Sequence, residues 1–264
     1  MNFELYKKLI EQTKKSILIN ILYFQGEPFL NPEIFKMIEY SNLNKIYSII
    51  STNGHFLSSG NIKKIIDSKL NKLIISIDGA TQDIYSSYRI GGNLDKVLEG
   101  IEALQNYKKE TKSKHPKVYL QFLVTSKNEH QINDIKNIGK KYNVDKVVFK
   151  TIQVYDYENG NVLIPSNKKY SRYILNKCNK YELKNELLNH CWRIWSSCVV
   201  TWDGNVVPCC FDKDAKYIMG NINENTLEEI WNGERFNDFR KAILKNRKSI
   251  DICNNCTEGT KVWI

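Results

Sequence analysis

The first 150 residues alternate between short apolar runs and segments with helical periodicity. Five runs rich in β-branched residues predict strands at 16–23, 45–50, 72–77, 117–124 and 146–150. Helical patterns lie beside them at 3–14, 32–41, 62–68, 94–108 and 129–141. Strands that are apolar with little alternation are typical of a parallel sheet covered by helices. The pattern therefore predicts right-handed βαβ units, arranged either as an open doubly wound sheet or as a barrel.

The rest of the chain changes character. Residues 152–168 lack periodicity and predict a connector, whereas residues 170–188 predict a helix. Asp203-Gly204 lies between apolar strand-like runs and predicts a β-hairpin, because Asp-Gly suits a two-residue turn with positive φ. Two short helices are predicted at 226–231 and 235–244. The sequence thus divides into a partial barrel at 1–165, a linker helix at 166–190 and a small C-terminal module at 191–264.

Composition narrows the functional classes. The net charge is +10, but the lysines are scattered and form no compact basic run interleaved with aromatics, so we expect no nucleic-acid partner. No apolar run approaches the roughly 18–20 residues of a membrane span. The run at 16–24 lacks a small-residue cleavage site and leads directly into a polar loop. We therefore expect a cytoplasmic protein with no membrane partner.

Polar and glycine residues follow three successive predicted strands. The first strand leads into Gln25-Gly26-Glu27-Pro28, and the next two lead into residues 51–54 and 76–79. Because parallel strands end at one edge of a sheet or barrel, these loops should meet there. Glycines let a backbone approach a ligand closely, and acids and hydroxyls can hold an amine or a ribose. The sequence predicts a small-molecule site at this edge.

Six of the seven cysteines lie beyond residue 190, which indicates a metal site. Cys253 and Cys256 have the Cys-x-x-Cys spacing that places two sulfurs within reach of one metal centre. Cys191 and Cys209 flank the predicted hairpin and form the natural second pair. An odd cysteine count without a secretion signal argues against a disulfide framework. Spacing alone leaves structural zinc and an iron–sulfur cluster as alternatives.

The other cysteines and the histidines are weaker candidates. Cys210 neighbours Cys209, and adjacent strand residues point to opposite faces. Cys198 is expected to pack as a small hydrophobic residue, although either of these two could replace Cys209 as a ligand. Cys178 is expected to pack within the linker helix. The four histidines have no partner at a spacing typical of metal ligands.

The C-terminal residues resemble the SPASM/twitch module of radical S-adenosylmethionine (SAM) proteins. The resemblance is carried by residues 191–212, 220–222 and 227–233 together with the Cys253-x-x-Cys256 pair. It is nearest to the twitch form, which has a single cluster. The resemblance implies that Cys191, Cys209, Cys253 and Cys256 bind one auxiliary [4Fe–4S] cluster, and it favours iron–sulfur over zinc.

Residues 16–150 resemble the radical SAM barrel. Residues 26–28 are similar to the end of a Gly-Gly-Glu-Pro motif that holds the SAM amino group, with Gln25 replacing the first glycine. Residues 76–78 are similar to the strand that meets the SAM ribose and carboxylate, and Arg89 matches an arginine that pairs with that carboxylate. The resemblance assigns SAM binding to six residues: Gly26, Glu27, Pro28, Ser76, Asp78 and Arg89.

One departure affects the expected activity. The family has a Cys-x3-Cys-x2-Cys loop after its first strand, whereas this sequence has no cysteine before Cys178 and opens with a helix. The expected fold is α/β: an N-terminally incomplete (β/α) radical SAM-type barrel followed by a hairpin-plus-helix twitch module. SAM binding is then expected only with an N-terminal cluster segment. An exposed edge of the first strand should favour aggregation.

Three functional hypotheses follow. The first is a truncated sequence record of a radical SAM oxidoreductase or maturase that acts on a small molecule or peptide, with a reductant protein as a further partner. The second is a non-catalytic iron–sulfur protein that relays electrons or binds a ligand and does not cleave SAM. The third is a zinc-stabilised binding module. The sequence identifies no catalytic acid or base.

Overall fold

A computed structural model describes residues 1–260 of the chain and divides them into two compact units. The sheet unit comprises Ile17–Ser171. The cysteine unit comprises Met1–Ser16 together with the residues from Arg172 onward. The last four residues of the predicted 191–264 module lie outside the described residues. Among the described residues, no helix is long and apolar enough to cross a bilayer.

The sheet unit is built on five parallel strands. They are β1 (Ile19–Ile21), β2 (Tyr47–Thr52), β3 (Lys72–Ser76), β4 (Lys117–Val124) and β5 (Lys146–Thr151). Their spatial order is also their order along the chain, and every neighbouring pair is parallel. A doubly wound sheet would reverse its strand order at a switch point. The unreversed order therefore matches the winding of a barrel and confirms the predicted parallel α/β architecture.

Helices alternate with these strands and supply the core. In chain order, the helices of the first 150 residues are α1 (Phe3–Thr13), α2 (Ile34–Leu43), α3 (Ser59–Asp67), α4 (Gln82–Tyr88), α5 (Leu94–Glu110) and α6 (Ile132–Lys141). Ile50, Leu73 and Leu120 are fully buried on the central strands. Asn93 caps α5 by accepting from the Lys96 N–H at 2.9 Å. Helix α4 was not predicted, because glycines and tyrosines in this stretch favoured a loop.

Besides α1, the described residues of the cysteine unit form two small antiparallel sheets and two further helices. A hairpin is formed by β6 (Tyr173–Leu175) and β7 (Tyr181–Leu183). A three-stranded sheet has the order β10-β9-β8, with β8 (Val199–Val200), β9 (Asn205–Val207) and β10 (Gly220–Asn221). Helices α7 (Leu227–Asn232) and α8 (Glu234–Asn246) follow. The Asp203-Gly204 hairpin is confirmed, with Gly204 at φ +92°.

The linker helix predicted over 170–188 is wrong, since this segment forms the β6–β7 hairpin. The Asn176 side chain accepts from the N–H groups of Cys178 (2.9 Å) and Lys180 (3.1 Å), and Asn179 adopts φ +55°. Asparagine forms such turns readily, because its side chain bonds to nearby backbone and it tolerates positive φ. Cys178 accordingly lies exposed in a turn and does not pack inside a helix.

Helix α1 contributes to the core of the cysteine unit. Its Leu5 and Leu9 pack against a buried cluster that includes Ile222 and Phe236. Its Gln12 side chain accepts from the Leu227 N–H at 2.9 Å, at the start of α7. Amphipathic periodicity predicted the helix, but the surface that it covers comes from residues more than 200 positions away.

Candidate functional sites

The loops after β1 and β2 are joined by the Glu27 carboxylate. One oxygen accepts from the Thr52 hydroxyl at 2.8 Å, and the other accepts from the Asn53 N–H at 2.8 Å. Glu27 also caps the short 3₁₀ turn Pro28–Leu30. Gly26 adopts φ +75°, and open space surrounds the position that a Cβ would occupy. Three of the predicted SAM-binding residues therefore form a braced loop whose glycine leaves the backbone accessible.

Asp78 and Arg89 form an ion pair at the end of β3. The Arg89 Nε and Nη2 atoms both donate to Asp78 Oδ2 at 2.6 Å, and the Leu123 N–H donates to Asp78 Oδ1 at 2.9 Å. Asp78 is only 1% exposed, whereas the Arg89 side chain is one-third exposed. Ser76 lies close by and is also buried. The carboxylate thus holds the guanidinium in place at the end of β3.

Tyr85 stands beside this ion pair, and sequence reasoning gave it no specific role. Gly79 is required here, because a Cβ would collide with the Tyr85 backbone. Burial raises the pKa of Tyr85, so its hydroxyl stays protonated at neutral pH. Among the described residues this buried hydroxyl has no hydrogen-bond partner. It is a buried polar group that the described residues leave unsatisfied.

The four predicted cluster ligands come from three separate segments. Cys191 precedes the 3₁₀ turn Trp192–Trp195, Cys209 follows β9, and Cys253 and Cys256 lie in the turns after α8. The Cys253 thiol interacts electrostatically with those of Cys191, Cys209 and Cys256. Cys191, Cys253 and Cys256 are buried, and Cys209 is half-buried. The structure thus brings together four thiols that are up to 65 positions apart in sequence.

Burial makes these thiols weak acids. It raises the pKa of Cys209 and of Cys253 to about 12, and the neighbouring thiols add to the shift. The pKa of Cys256 is also raised, chiefly by burial. Metals bind the thiolate, so a ligand that converts these groups to thiolates must supply compensating positive charge. Iron ions in a cluster would do so.

The donor set suits an iron–sulfur cluster. Four cysteine thiols on three segments are the ligand type that [4Fe–4S] clusters use. Cysteine also binds structural zinc, with sulfurs at about 2.3 Å from the ion. Within residues 1–260, no three or more His, Cys, Asp or Glu side chains surround one ion position.

Two of the remaining cysteines differ from this group. Cys198 is half-buried, and burial raises its pKa to about 11, with Arg240 as its charged neighbour. Its side chain packs against the buried cluster that includes Cys191 and Cys253. Cys210 is exposed, and its thiol interacts with Arg193, Glu258 and Cys191. The choice of Cys209 as the ligand in this stretch stays a prediction.

Two residues that sequence reasoning missed shape the cysteine site. Gly259 adopts φ +74°, and a Cβ there would collide with the Cys191 Sγ atom. The Gly259 carbonyl also accepts from the Trp192 N–H at 2.9 Å. Arg247 is 1% exposed and donates to backbone carbonyls beside the cysteines. The only sequence signal for Gly259 was its place close behind a Cys-x-x-Cys pair. Arg247 had no sequence signal.

Comparison with known proteins places both units in described families. Residues 1–137 match the model of the radical SAM superfamily, and residues 191–257 match SPASM, an iron–sulfur cluster-binding domain. The two domains imply [4Fe–4S] clusters and SAM as cofactors.

Two curated relatives align with nearly the whole chain. A tungsten-containing aldehyde ferredoxin oxidoreductase cofactor-modifying protein from Pyrococcus furiosus is 24% identical over 97% of this chain and 79% of its own length. A SAM-dependent 2-deoxy-scyllo-inosamine dehydrogenase from Niallia circulans is 26% identical over 97% of this chain and 80% of its own.

A solved structure shares the fold. The structure of anSMEcpe with bound AdoMet and a peptide matches with a TM-score of 0.64 and 18% identity, and the match covers 96% of this chain and 80% of that one. These proteins act on or bind a small molecule in one case and a peptide in another.

Proposed function

Because this chain belongs to the radical SAM superfamily and ends in a SPASM-type iron–sulfur domain, we propose that it is a redox enzyme, an oxidoreductase or a maturase, with one auxiliary [4Fe–4S] cluster. The cluster would be held by Cys191, Cys209, Cys253 and Cys256. The observation that carries the proposal is the approach of these four thiols to one another within a buried site. When bound, SAM would supply hydrogen-atom abstraction and the auxiliary cluster one-electron transfer.

We propose that the loops after β1 and β3 hold SAM. Glu27 braces its loop through Thr52 and Asn53, which supports a fixed backbone around Gly26 for an ammonium group. Arg89 is oriented by Asp78 and keeps N–H groups free for a carboxylate. Ser76 and Pro28 complete the proposed set. The partly exposed guanidinium could exchange contacts with a ligand without leaving the buried Asp78 unpaired.

The proposed substrate is a small polar molecule or a peptide, because the relatives named above act on or bind these classes. A reductant protein is proposed as the electron donor, and the net charge of +10 suits an acidic partner. All seven cysteines are free thiols, which supports a reducing cytoplasmic location.

A second candidate function is a cluster-containing electron-transfer or binding protein that does not cleave SAM. The observation that favours it is the absence of cysteine from residues 1–177, which therefore supply no thiolate for a SAM-chelating cluster. Both candidates use the same C-terminal cluster, so cluster content does not distinguish them.

The distinguishing experiment is SAM cleavage by the cluster-loaded protein, expressed from the reading frame extended upstream of Met1 where that DNA encodes a Cys-x3-Cys-x2-Cys segment. The protein is reconstituted anaerobically, reduced with dithionite and incubated with SAM, and 5′-deoxyadenosine is measured. The enzyme proposal predicts its formation, and Arg89→Gln should slow it. Arg235→Gln removes the same charge from an exposed helix residue and serves as the matched control. The second candidate is supported if the upstream DNA encodes no such segment or if the loaded protein forms no 5′-deoxyadenosine, and a protein that binds no cluster excludes both.

A further inference from the structure

Arg247 lies at the centre of the polypeptide that surrounds the four thiols. It begins the turn Arg247–Ser249 after α8 and is almost completely buried. Its Nη1 donates to the His190 carbonyl at 2.8 Å, next to Cys191. Its Nη2 donates to the carbonyls of Cys256 and Glu258 at 3.0 and 2.7 Å. One guanidinium therefore ties the segment before the first cysteine to the segment after the last.

The positive charge of Arg247 is not neutralised by any carboxylate among the described residues. Within residues 1–260, no acidic oxygen forms an ion pair with it, and its Nε is buried without a hydrogen-bond partner. Arg172 and Arg193, in contrast, share the Glu258 carboxylate at 3.3 and 3.0 Å. A buried charge is costly unless an opposite charge accompanies it. The site therefore calls for an anion.

The hydrogen bonds of Arg247 indicate what that anion is. Its Nη2 donates to the carbonyl of Cys256, and its Nη1 donates to the carbonyl of the residue before Cys191. Two of the four proposed cluster ligands therefore adjoin its hydrogen bonds. Four thiolates around a doubly positive cluster core would leave about two net negative charges. A cluster bound here would thus supply the charge that the buried guanidinium lacks.

We propose that Arg247 is a positioning residue that compensates the charge of the auxiliary cluster and raises its reduction potential. The inference rests on the proposed function. Reduction adds one electron and makes the cluster more negative, so a nearby buried cation stabilises the reduced form. Removing that cation should lower the reduction equilibrium constant about tenfold or more, which corresponds to at least about 59 mV for one electron.

A purely structural role, in which Arg247 only ties carbonyls together, makes a different prediction. Arg240, which lies on α8, provides the matched control, because it is likewise a buried arginine that donates to carbonyls, those of Ile194 and Trp231. Aromatic rings surround its guanidinium, including Trp231 and Phe236 at 4.4 and 4.3 Å. Its charged contact is Cys198, which is not a proposed ligand.

The experiment compares the full-length chain with three variants, Arg247→Met, Arg247→Lys and Arg240→Met. Each is reconstituted anaerobically, its iron and sulfide are counted, and its potential is measured by EPR-monitored dithionite titration. We expect Arg247→Met to show the tenfold shift or to fold without retaining the cluster. Arg247→Lys should load the cluster, and its reduction equilibrium constant should lie within about threefold of the wild-type value. Arg240→Met should leave the potential unchanged. If Arg247→Met is insoluble, Arg247→Gln is measured in its place with the same expected shift.

Two outcomes would overturn the inference. One is a loaded Arg247→Met protein with the wild-type potential. The other is the loss of cluster from a folded Arg247→Lys protein, since that would make the carbonyl contacts essential and the charge irrelevant. If the wild-type chain itself binds no cluster, the proposed function fails before Arg247 is tested. Circular dichroism of the cluster-free variants establishes that each is folded.

Discussion

Replacing Gly259 with alanine should displace a cluster ligand while leaving the chain folded. A Cβ at this position would lie closer than 3.0 Å to the Cys191 sulfur, whereas ordinary contact begins at 3.4 Å. The sulfur must therefore move by more than 0.4 Å, the difference between these two distances. Metal–ligand distances tolerate only about 0.2 Å. We expect Gly259→Ala to lose most of its iron after anaerobic reconstitution.

The substitution also strains the backbone, and this effect must be separated from the displacement of the ligand. Gly259 has φ +74°, a conformation that costs an L-residue about 1–2 kcal/mol. Gly91 has the same φ of +74° with open space around its Cβ position, so Gly91→Ala carries the backbone strain without a collision. Both variants should lose similar stability in urea, but only Gly259→Ala should lose iron. A Gly259→Ala protein with wild-type iron content and visible spectrum would refute the reasoning.

Three further predictions concern stability and association. Gly204→Ala should cost about 1–3 kcal/mol in urea unfolding, because it adds a side chain at φ +92° against Asn223; an unchanged midpoint would contradict this. Ile21→Lys should reduce self-association in sedimentation experiments, because Ile21 is 55% exposed on the edge strand β1. The control is Ile90→Lys, because Ile90 is also exposed but lies away from that edge. A wild-type chain that stays monomeric at high concentration would argue against the edge as the cause of self-association. In the cluster-free protein, burial raises the pKa of Cys253 to about 12, above its unfolded value of about 8.5. The resulting stabilisation is complete below pH about 8.5 and is lost as the pH rises toward 12, by at most about 1.4 kcal/mol per unit. Loaded protein should lack this loss, and Cys253→Ser should reduce it in the cluster-free form.

The sequence predicted the parallel sheet well, because each strand carries its own local signal. The apolar runs that became β2, β3, β4 and β5 were located to within about two residues, and β4 matched at both ends. The signal for the Asp203-Gly204 turn was equally local, because the hairpin turn requires the positive φ that glycine adopts readily. The assignment of SAM binding to Gly26, Glu27, Pro28, Ser76, Asp78 and Arg89 remains a prediction.

Features that depend on distant residues could not be predicted. Helix α1, at the start of the chain, packs on a core that is formed by the last third of the chain. The segment around Asn176 was misassigned because its turn is set by side-chain contacts to the backbone, which periodicity does not register. Gly259 and Arg247 act on Cys191 and His190, more than 50 positions away, and neither has a local sequence signal.

The most direct test of the central claim is the iron and sulfide content of the anaerobically reconstituted chain and of its single Cys→Ser variants. The account predicts about four iron and four sulfide per wild-type chain. The cluster should be lost on replacing Cys191, Cys209, Cys253 or Cys256, and it should be retained on replacing Cys178 or Cys198. Stoichiometric zinc, the absence of bound metal, or a cluster that survives Cys253→Ser would contradict the account.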